Sequence, residues 1–370
     1  RFIEEPTTRL LLTAQSHSAV DHLMHEVVGA VTAEDEDEQP LIVRCKNRKN
    51  TEQPQEFDLA GRSSDLIARV VSSPLAAKAS PYLAQRLKAL GQSVQKDGGA
   101  RPSSTKEQRA RTAFEGVVLR AANMVFSTTN APDLERLIEE RGQFDWTIVE
   151  EAGKATGGEL VSPLLLSHRR LMIGDHKQLP PYRSDEMKAV LKSPSSVKEV
   201  MAVAPNLISR SLRGDAMEDL LEYWQESGEE ASVTVGAAAV DALLMFETMI
   251  EAEFGRQKLS KGGRRIARSL TVQHRMHPQI AELISKTFYD GSLRTDPKRE
   301  ARFNAEPSPV ASKPGSKLPN TAITLVNVPD LQGEVGQVEG DSLPPWTNNR
   351  EVRAVEWVLS QLQARNGGNP

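Results

Sequence analysis

The chain has 370 residues, of which 38% are hydrophobic and 26% charged, and its formal net charge is −4. This length suggests two or three domains. The composition is that of an ordinary globular protein, with enough hydrophobic residues to form a core. The single cysteine, Cys45, excludes an internal disulfide framework and a cysteine-rich zinc module. The net negative charge argues against a wholly basic nucleic-acid-binding surface but leaves a local basic channel open.

Short, continuous apolar runs that end in polar residues recur along the chain. Such runs are typical of strands that are covered on both faces of a parallel sheet. We predict five strands of this kind, at Leu10–Ala14, Met124–Ser127, Trp146–Val149, Leu171–Ile173 and Ala322–Val326. The first run precedes apolar residues at helical spacing between Val20 and Val31, which predicts a strand–helix unit of an α/β fold.

Segments of different composition separate these runs. Residues 32–118, which include an acidic run at 34–38, predict an inserted subdomain with exposed helices. We predict a second, irregular insert at about 183–236 and a surface loop at 306–319, which is rich in proline and lysine. No apolar run is long enough to span a bilayer, so we expect no membrane partner. The cysteine usage predicts an intracellular location, in the cytoplasm or, for a eukaryotic protein, in the nucleus.

The most informative segment is Phe144–Ala152, where an apolar strand ends in two adjacent carboxylates, Glu150 and Glu151. Ligands of open parallel sheets bind outside the carboxyl ends of the strands. In nucleotide hydrolases the first acid of such a pair holds Mg²⁺, commonly through water, and the second orients or deprotonates the attacking water. A strand end with two glutamates also occurs without any such role, so this interpretation depends on what accompanies it.

The next predicted strand is followed by Gly-Asp-His-Lys-Gln-Leu-Pro-Pro at Gly174–Pro181. Together with the earlier Glu-Glu-Ala-Gly-Lys-Ala-Thr, it resembles motifs II and III of the superfamily-1 helicases, in the 5′-to-3′ branch that includes the helicases of nonsense-mediated decay and Okazaki-fragment processing. The resemblance implies that Glu150 holds Mg²⁺ and Glu151 activates water. It also implies that Gln178 senses the γ-phosphate of ATP, with Asp175 in support. The family usually has Asp at the position of Glu150, whose side chain is one methylene longer.

A third segment, Leu270–Pro278, is similar to motif IV of this family, usually Gln-Tyr-Arg-Met-His-Pro. The resemblance implies that Arg275 is an arginine finger that reaches the γ-phosphate from a second RecA-like domain. A guanidinium suits this role because it is permanently charged and forks onto phosphate oxygens; the alternative is a structural arginine paired with an acid. His274 stands where Tyr is usual. His274 and His277 are close in sequence, but no further ligands gather nearby, so we predict no metal site there.

Two further segments resemble the nucleic-acid-binding motifs of the family. Leu12–Asp21 resembles motif Ia, which implies that Ser16 and His17, at a helix start, hold a backbone phosphate. His17 stands where Asn is usual, and a helix-capping role for Ser16 is compatible with this contact. The turn after the strand at 124 resembles motif Ib, which implies a second backbone contact through Thr128 and Thr129.

Features of the second predicted domain extend the resemblance. Asn348–Glu351 resembles the Asn-x-x-Glu segment of the family. A basic stretch before motif IV predicts either an electrostatic funnel for nucleic acid or a solvated loop: Arg256, Lys258, Lys261, Arg264, Arg265 and Arg268.

The resemblance covers nearly the whole chain apart from the inserts. It implies an α/β fold of two RecA-like P-loop NTPase domains with parallel sheets, at 1–255 with helical inserts and at 264–370, which is incomplete at its C-terminus. The sequence lacks the Gly-x-x-x-x-Gly-Lys-Ser/Thr loop that cradles phosphates. It also lacks the late Gln-Gly-x-Glu and Thr-Arg-Ala segments. Truncation at both ends would explain both gaps; a degenerate pseudoenzyme is the alternative.

The leading hypothesis is therefore the core of a helicase or translocase that uses ATP and Mg²⁺ on single-stranded DNA or RNA and is inactive as this fragment. The alternative is a non-catalytic nucleic-acid-binding module derived from a helicase, which the missing phosphate loop favours. A third reading is a different ATPase of the same additional-strand class, and the motif IV segment argues against it. The sequence does not choose between DNA and RNA.

Overall fold

The computed structural model describes residues 7–31, 40–45, 56–95, 105–207, 215–260, 262–306, 308–319, 321–327 and 349–365. The acidic run at 34–38, Lys261 and Asn348 lie outside the described residues. The chain divides into two compact units, Arg1–Arg265 and Ile266–Pro370.

The first unit is built on a five-stranded parallel sheet. Its strands are β1 (Leu10–Ala14), β2 (Ile42–Arg44), β3 (Met124–Thr128), β4 (Phe144–Glu150) and β5 (Ser167–Met172). Their order is β2-β3-β1-β4-β5, and every neighbouring pair is parallel. The predicted strands at 10–14, 124–127 and 146–149 are confirmed. Of the predicted strand at 171–173, residues 171–172 form the end of β5, in the same sheet as β4, and Ile173 follows that strand.

Apolar side chains cover both faces of this sheet. Along β1, Leu11 belongs to one buried cluster, whereas Leu10 and Leu12 belong to the cluster on the other face. This is the alternation that a strand imposes on its side chains. Helix α1 (His17–Val31) packs its apolar residues against the second cluster, as the helical spacing after β1 predicts. The short connection from Ala14 to His17 places the start of α1 at the sheet edge where β1 ends.

The first predicted insert is largely helical. It contains α2 (Leu59–Ser72), α3 (Pro74–Ala77), α4 (Pro81–Gln95) and most of α5 (Thr105–Ala121). One part of that prediction was wrong, because β2 lies inside the segment and is a strand of the core sheet. Its apolar run is only Leu41–Val43, too short to stand out from the surrounding polar sequence.

The first unit contains six further α-helices among its described residues. They are α6 (Pro132–Glu139), α7 (Gly157–Leu165), α8 (Ser184–Leu191), α9 (Pro194–Leu207), α10 (Asp215–Leu243) and α11 (Met245–Leu259). The prediction of an irregular segment at 183–236 was therefore wrong over its described residues. Proline at the first position of α9 begins that helix instead of interrupting one. Helix α10 is kinked at Gly228, where φ is 56°.

The second unit contains short strands and three helices among its described residues. Strand β6 (Val272–Gln273) pairs in parallel with β7 (Arg294–Thr295). Strand β8 (Val310–Ser312), inside the predicted surface loop, pairs antiparallel with β9 (Leu362–Ala364). The helices are α12 (Pro278–Phe288), α13 (Pro297–Ala305) and α14 (Asn349–Ser360).

The predicted strand at Ala322–Val326 is wrong, because these residues have no regular secondary structure. The side chain of Leu325 is 91% exposed, and no described strand pairs with this segment. An apolar run forms a stable strand only when its backbone groups find partners in a sheet.

Among the described residues, no single helix is long and apolar enough to cross a membrane. The helices at Glu230–Leu243 and Met245–Leu259, bent by 90° at their junction, would pass that test of length and composition only as a pair.

Candidate functional site

The carboxyl ends of three neighbouring strands lie abreast at one edge of the sheet. Ala14 of β1 is paired in register with Thr128 of β3 on one side and with Glu150 of β4 on the other. The β4–β5 pairing places Met172 beside Val149. The segments that follow β1, β3, β4 and β5, which carry the predicted site residues of the first unit, therefore leave the sheet at the same edge.

The two acids at the end of β4 have different environments. Atom Oε2 of Glu150 is buried and has no hydrogen-bond partner. A buried carboxylate oxygen without a partner is costly, so this position favours a bound cation or its water. Glu151 adopts a left-handed backbone conformation, with φ at 56°. Its Oε2 lies 2.9 Å from Nζ of Lys154, and both side chains remain about two-fifths exposed, at 41% and 42%.

Two glycines bring the loop after β4 against the loop after β5. The backbone N–H of Ala152 donates to the carbonyl oxygen of Ile173 at 2.9 Å. A Cβ at Gly153 would lie 2.8 Å from the carbonyl oxygen of Asp175, and a Cβ at Gly174 would lie 2.7 Å from the nitrogen of Gly153. Only residues without a side chain allow this approach. The structure thus places the predicted motif II and motif III loops in direct backbone contact.

The loop after β5 is organised by Asp175. Its Oδ1 accepts a hydrogen bond from the backbone N–H of Lys177 at 3.0 Å, and its Oδ2 accepts one from Nε2 of Gln178 at 2.9 Å. The structure therefore brings together Asp175 and Gln178, two of the predicted site residues. Gln178 is exposed, so its amide is available at the surface of the unit.

Glu251 of helix α11 is a contributor to this loop that the sequence analysis missed. Its Oε1 accepts from Nζ of Lys177 at 2.7 Å and lies 3.0 Å from Nε2 of His176. The hydrogen bond from Lys177, and then the charges of Lys177 and His176, hold the pKa of Glu251 below its usual value. No sequence signal marked Glu251, because its partners are more than seventy residues away.

The start of α1 and the turn after β3 carry the predicted nucleic-acid contacts. Oγ of Ser16 accepts from the backbone N–H of Ala19 at 3.2 Å, so Ser16 caps the helix. The ring of His17 is exposed. Thr128 is half-buried, whereas Thr129 is only 1% exposed. Of the two predicted threonines, only Thr128 is accessible to a nucleic-acid strand bound at the surface, because the side chain of Thr129 is buried.

Arg275 lies in the second unit, on an exposed turn between β6 and α12. The turn closes around the side-chain amide of Gln273, whose Oε1 accepts from the backbone N–H of Arg275. His277 caps α12, since its Nδ1 accepts from the backbone N–H of Gln279 at 3.2 Å. His274 lies 3.9 Å from a carboxylate oxygen of Asp296.

Comparison with known proteins identifies two segments of the chain. Two models of the AAA domain match, one over residues 78–183 and the other over residues 245–368. The chain contains two AAA domains of the kind typical of superfamily-1 helicases. The first AAA domain match includes the acids at the end of β4 and the loop after β5, and the second includes Glu251 and Arg275.

Curated relatives agree with these AAA domains. The chain is 25% identical over 249 residues to the DNA-binding protein SMUBP-2 of Rattus norvegicus, a match that covers 66% of this chain and 19% of that protein. It is 26% identical over the same length to the protein of that name from Mesocricetus auratus. The chain thus spans about a fifth of the length of the curated relatives it matches. The match supports a helicase-family, nucleic-acid-related function.

Proposed function

We propose that this protein is the core of an ATP-dependent nucleic-acid helicase or translocase. The observation that carries the proposal is the buried, unpartnered Oε2 of Glu150 beside Glu151, at the edge where the loop of Asp175 and Gln178 is packed against the loop that follows these acids. A metal-binding acid, a water-activating acid and an amide that can sense a phosphate are the groups that ATP hydrolysis needs at such an edge.

In this proposal Glu150 holds Mg²⁺ and Glu151 orients or deprotonates the attacking water. Among the described residues, no group of three or more His, Cys, Asp or Glu could hold a metal ion by itself. That fits Mg²⁺, which commonly takes one or two protein carboxylates and completes its shell with water and substrate phosphates. When bound, the ion would neutralise the charge of the ATP phosphates.

Gln178 and Arg275 are the proposed sensors of the γ-phosphate. The amide of Gln178 is held by Asp175, which leaves its carbonyl oxygen to accept a hydrogen bond from the attacking water or another donor at the phosphate. Arg275 is exposed on a turn that the side chain of Gln273 supports, and its guanidinium can fork onto phosphate oxygens.

Single-stranded DNA or RNA is the proposed nucleic-acid substrate. The matched relatives are named as a DNA-binding protein, which supports this choice. Ser16, His17 and Thr128 would contact the sugar–phosphate backbone, because a translocase must accept any sequence. The basic stretch from Arg256 to Arg268 would add electrostatic attraction, and its described residues are mostly exposed.

We expect the 370-residue chain itself to bind single strands without hydrolysing ATP. No phosphate-cradling Gly-Lys-Ser/Thr loop occurs in its sequence, and that loop supplies the N–H groups and the lysine that hold ATP. Nucleic-acid-stimulated hydrolysis by the purified chain would contradict this expectation.

Titration of labelled oligonucleotides of several sequences, each at several salt concentrations, tests the proposed function. Affinity should fall steeply with salt, because phosphate contacts release counterions, and it should depend little on sequence. A strong preference for one sequence would favour the second candidate, a non-catalytic binding module derived from a helicase. Affinity that does not change with salt would contradict backbone binding in either form.

A further inference from the structure

Arg44, the last residue of β2, is a buried cation at the edge of the sheet where the candidate site lies. It is 1% exposed. Burying a guanidinium is costly unless its N–H groups are paired, so its partners indicate why it is there. Its Nη1 donates to the carbonyl oxygen of the neighbouring Cys45. Its two side-chain partners, Asp21 and His17, both belong to helix α1.

The guanidinium reaches the first turns of α1 from the outer strand of the sheet. Nε of Arg44 donates to Oδ1 of Asp21 at 2.8 Å, and Nη2 lies 3.1 Å from Nδ1 of His17. Because β3 lies between β2 and β1, these bonds tie the helix that follows β1 to a strand two positions away. A planar fork with several fixed donors can serve both acceptors at once, which a lysine cannot do in the same way.

The contact also defines the hydrogen-bonding state of His17. A guanidinium only donates, so Nδ1 of His17 accepts from Arg44 and the proton of the neutral ring is on Nε2. The ring itself is exposed, next to the residue that caps the helix. His17 therefore accepts through Nδ1 and carries a hydrogen-bond donor on Nε2.

We propose that Arg44 is a positioning residue for single-strand binding, which acts through His17 and Asp21 and does not touch the nucleic acid. The inference rests on the proposed function, because it takes the start of α1 as a contact to the sugar–phosphate backbone. A hydrogen bond to an oxygen of the sugar–phosphate backbone requires that the donor, here on His17, be held in one place. The buried guanidinium of Arg44, which makes hydrogen bonds to three residues, holds this donor more firmly than a solvated side chain can. Arg44 lies too deep to pair with a phosphate itself.

The slope of affinity against salt distinguishes a positioning residue from a contact. A cation that pairs with a phosphate of a single strand contributes about 0.7 to the slope of log affinity against log salt. A buried arginine and a neutral histidine release no counterions. Arg44→Met and His17→Ala should therefore weaken the binding of a labelled oligothymidylate about fivefold to tenfold, roughly the effect of one lost hydrogen bond. The salt slope should stay at the wild-type value.

Matched variants control this experiment on the 370-residue chain. Arg69→Met removes an exposed arginine from α2, and His22→Ala removes an exposed histidine from α1; both should bind as the wild type does. His17→Asn keeps an oxygen near the place of Nδ1 and retains N–H donors, so it should restore most of the affinity that His17→Ala loses. Circular dichroism and thermal unfolding check that each variant is folded.

Three results would overturn the inference. A folded Arg44→Met variant that binds as tightly as the wild type shows that binding does not depend on the hydrogen bonds from Arg44 to α1. A variant whose salt slope falls by about 0.7 shows a direct phosphate contact. If Arg44→Met does not fold, Arg44→Lys decides, because it keeps the charge but lacks the planar fork: affinity equal to the wild type overturns the inference, and weaker binding with an unchanged salt slope supports it. Failure of the wild-type chain to bind single strands would instead overturn the proposed function.

Discussion

The side-chain oxygen of Gln273 accepts a hydrogen bond from the backbone N–H of Arg275 at 2.8 Å. The same oxygen accepts from the N–H of Met276 at 2.6 Å, while Nε2 of Gln273 donates to the carbonyl oxygen of Met276 and to Oγ1 of Thr295. One amide therefore makes four hydrogen bonds that shape the turn carrying the proposed arginine finger. Asn, with a shorter side chain, or Glu, without donors, could not make the same set.

Replacing Gln273 with Glu should slow ATP hydrolysis in an intact protein that includes the phosphate loop. The variant keeps an acceptor for the two N–H groups but loses both donors, so the turn is held less firmly. Because Arg275 is proposed to act on charge that develops in the transition state, we expect kcat to fall by about tenfold or more with a smaller change in KM. Steady-state kinetics measures both. Gln279→Glu, which preserves the acceptor used by Ala322, is the control and should behave as wild type.

Glu151→Gln in the same intact protein should keep ATP binding and lose about two or more decades of turnover, the usual contribution of a general base. An amide has nearly the shape of the carboxylate but cannot take a proton from water. ATP affinity and single-turnover hydrolysis should be measured together, with the exposed Glu139→Gln as control. Turnover at the wild-type rate would remove Glu151 from the mechanism.

Gly153→Ala and Gly174→Ala should each destabilise the first unit by about 1–3 kcal/mol, the usual cost of overpacking. The new methyl group would meet backbone atoms at 2.8 Å or 2.7 Å, and backbone cannot move aside as a flexible side chain does. Gly255→Ala is the matched control, because it lies within α11 and, apart from its chain neighbours and the nearby backbone of that helix, no atom lies within 4 Å of its added Cβ. It should instead stabilise the protein by about 0.5–1 kcal/mol. Urea unfolding of the three variants gives the comparison, and equal stabilities would contradict the proposed loop contact.

The raised pKa of Asp133 predicts how the free energy of unfolding depends on pH. Burial raises the pKa of this carboxyl, although Arg136 and a hydrogen bond from the thiol of Cys45 partly oppose the rise. The folded protein thus binds this proton more tightly than the unfolded chain does, so the stabilisation is present at acid pH and is lost as pH rises through the raised pKa. Asp133→Asn removes this titration. The stability of the wild type relative to this variant should therefore decline from acid to neutral pH.

Urea unfolding at several pH values measures that decline. Glu135→Gln, an exposed carboxylate on the same helix, is the control and should give a curve parallel to the wild type. A curve for Asp133→Asn parallel to the wild type would show that Asp133 has the same pKa in the folded and unfolded protein, which would contradict this prediction. The variant should also lower the pKa of Glu115 toward its usual value, because the charge of Asp133 contributes to raising it.

The sequence predicted the parts of the fold that depend on local pattern. Strands β1, β3 and β4 are continuous apolar runs, and both of their faces are buried, so composition alone marks them. Strand β2 ends in the buried cation Arg44. An arginine in a sequence suggests a surface residue, and its burial is explained only by its partners in α1. The apolar run at 322–326 carries the same pattern as a strand but has no described partner, and the sequence does not show which runs will be paired.

The candidate site was predicted to a similar extent. Motif resemblance pointed to the residues proposed to meet ATP, but not to the side chains that hold them. Glu251 is far along the chain from the loop it anchors, and Gln273 looks like a strand residue until the turn folds back on it. Supporting contacts of this kind depend on the three-dimensional arrangement. The residues that make them follow no recognisable sequence motif.

The in-register ends of β1, β3 and β4 limit where insertions and deletions can occur in the chain. A one-residue insertion or deletion inside β1 would turn every following side chain to the opposite face and shift Ala14 past Thr128 and Glu150 at once. The helical segments between β2 and β3 carry no such constraint, because their length does not alter the register of the sheet. Length variation among relatives should therefore accumulate between residues 46 and 121, while the three strands keep their lengths.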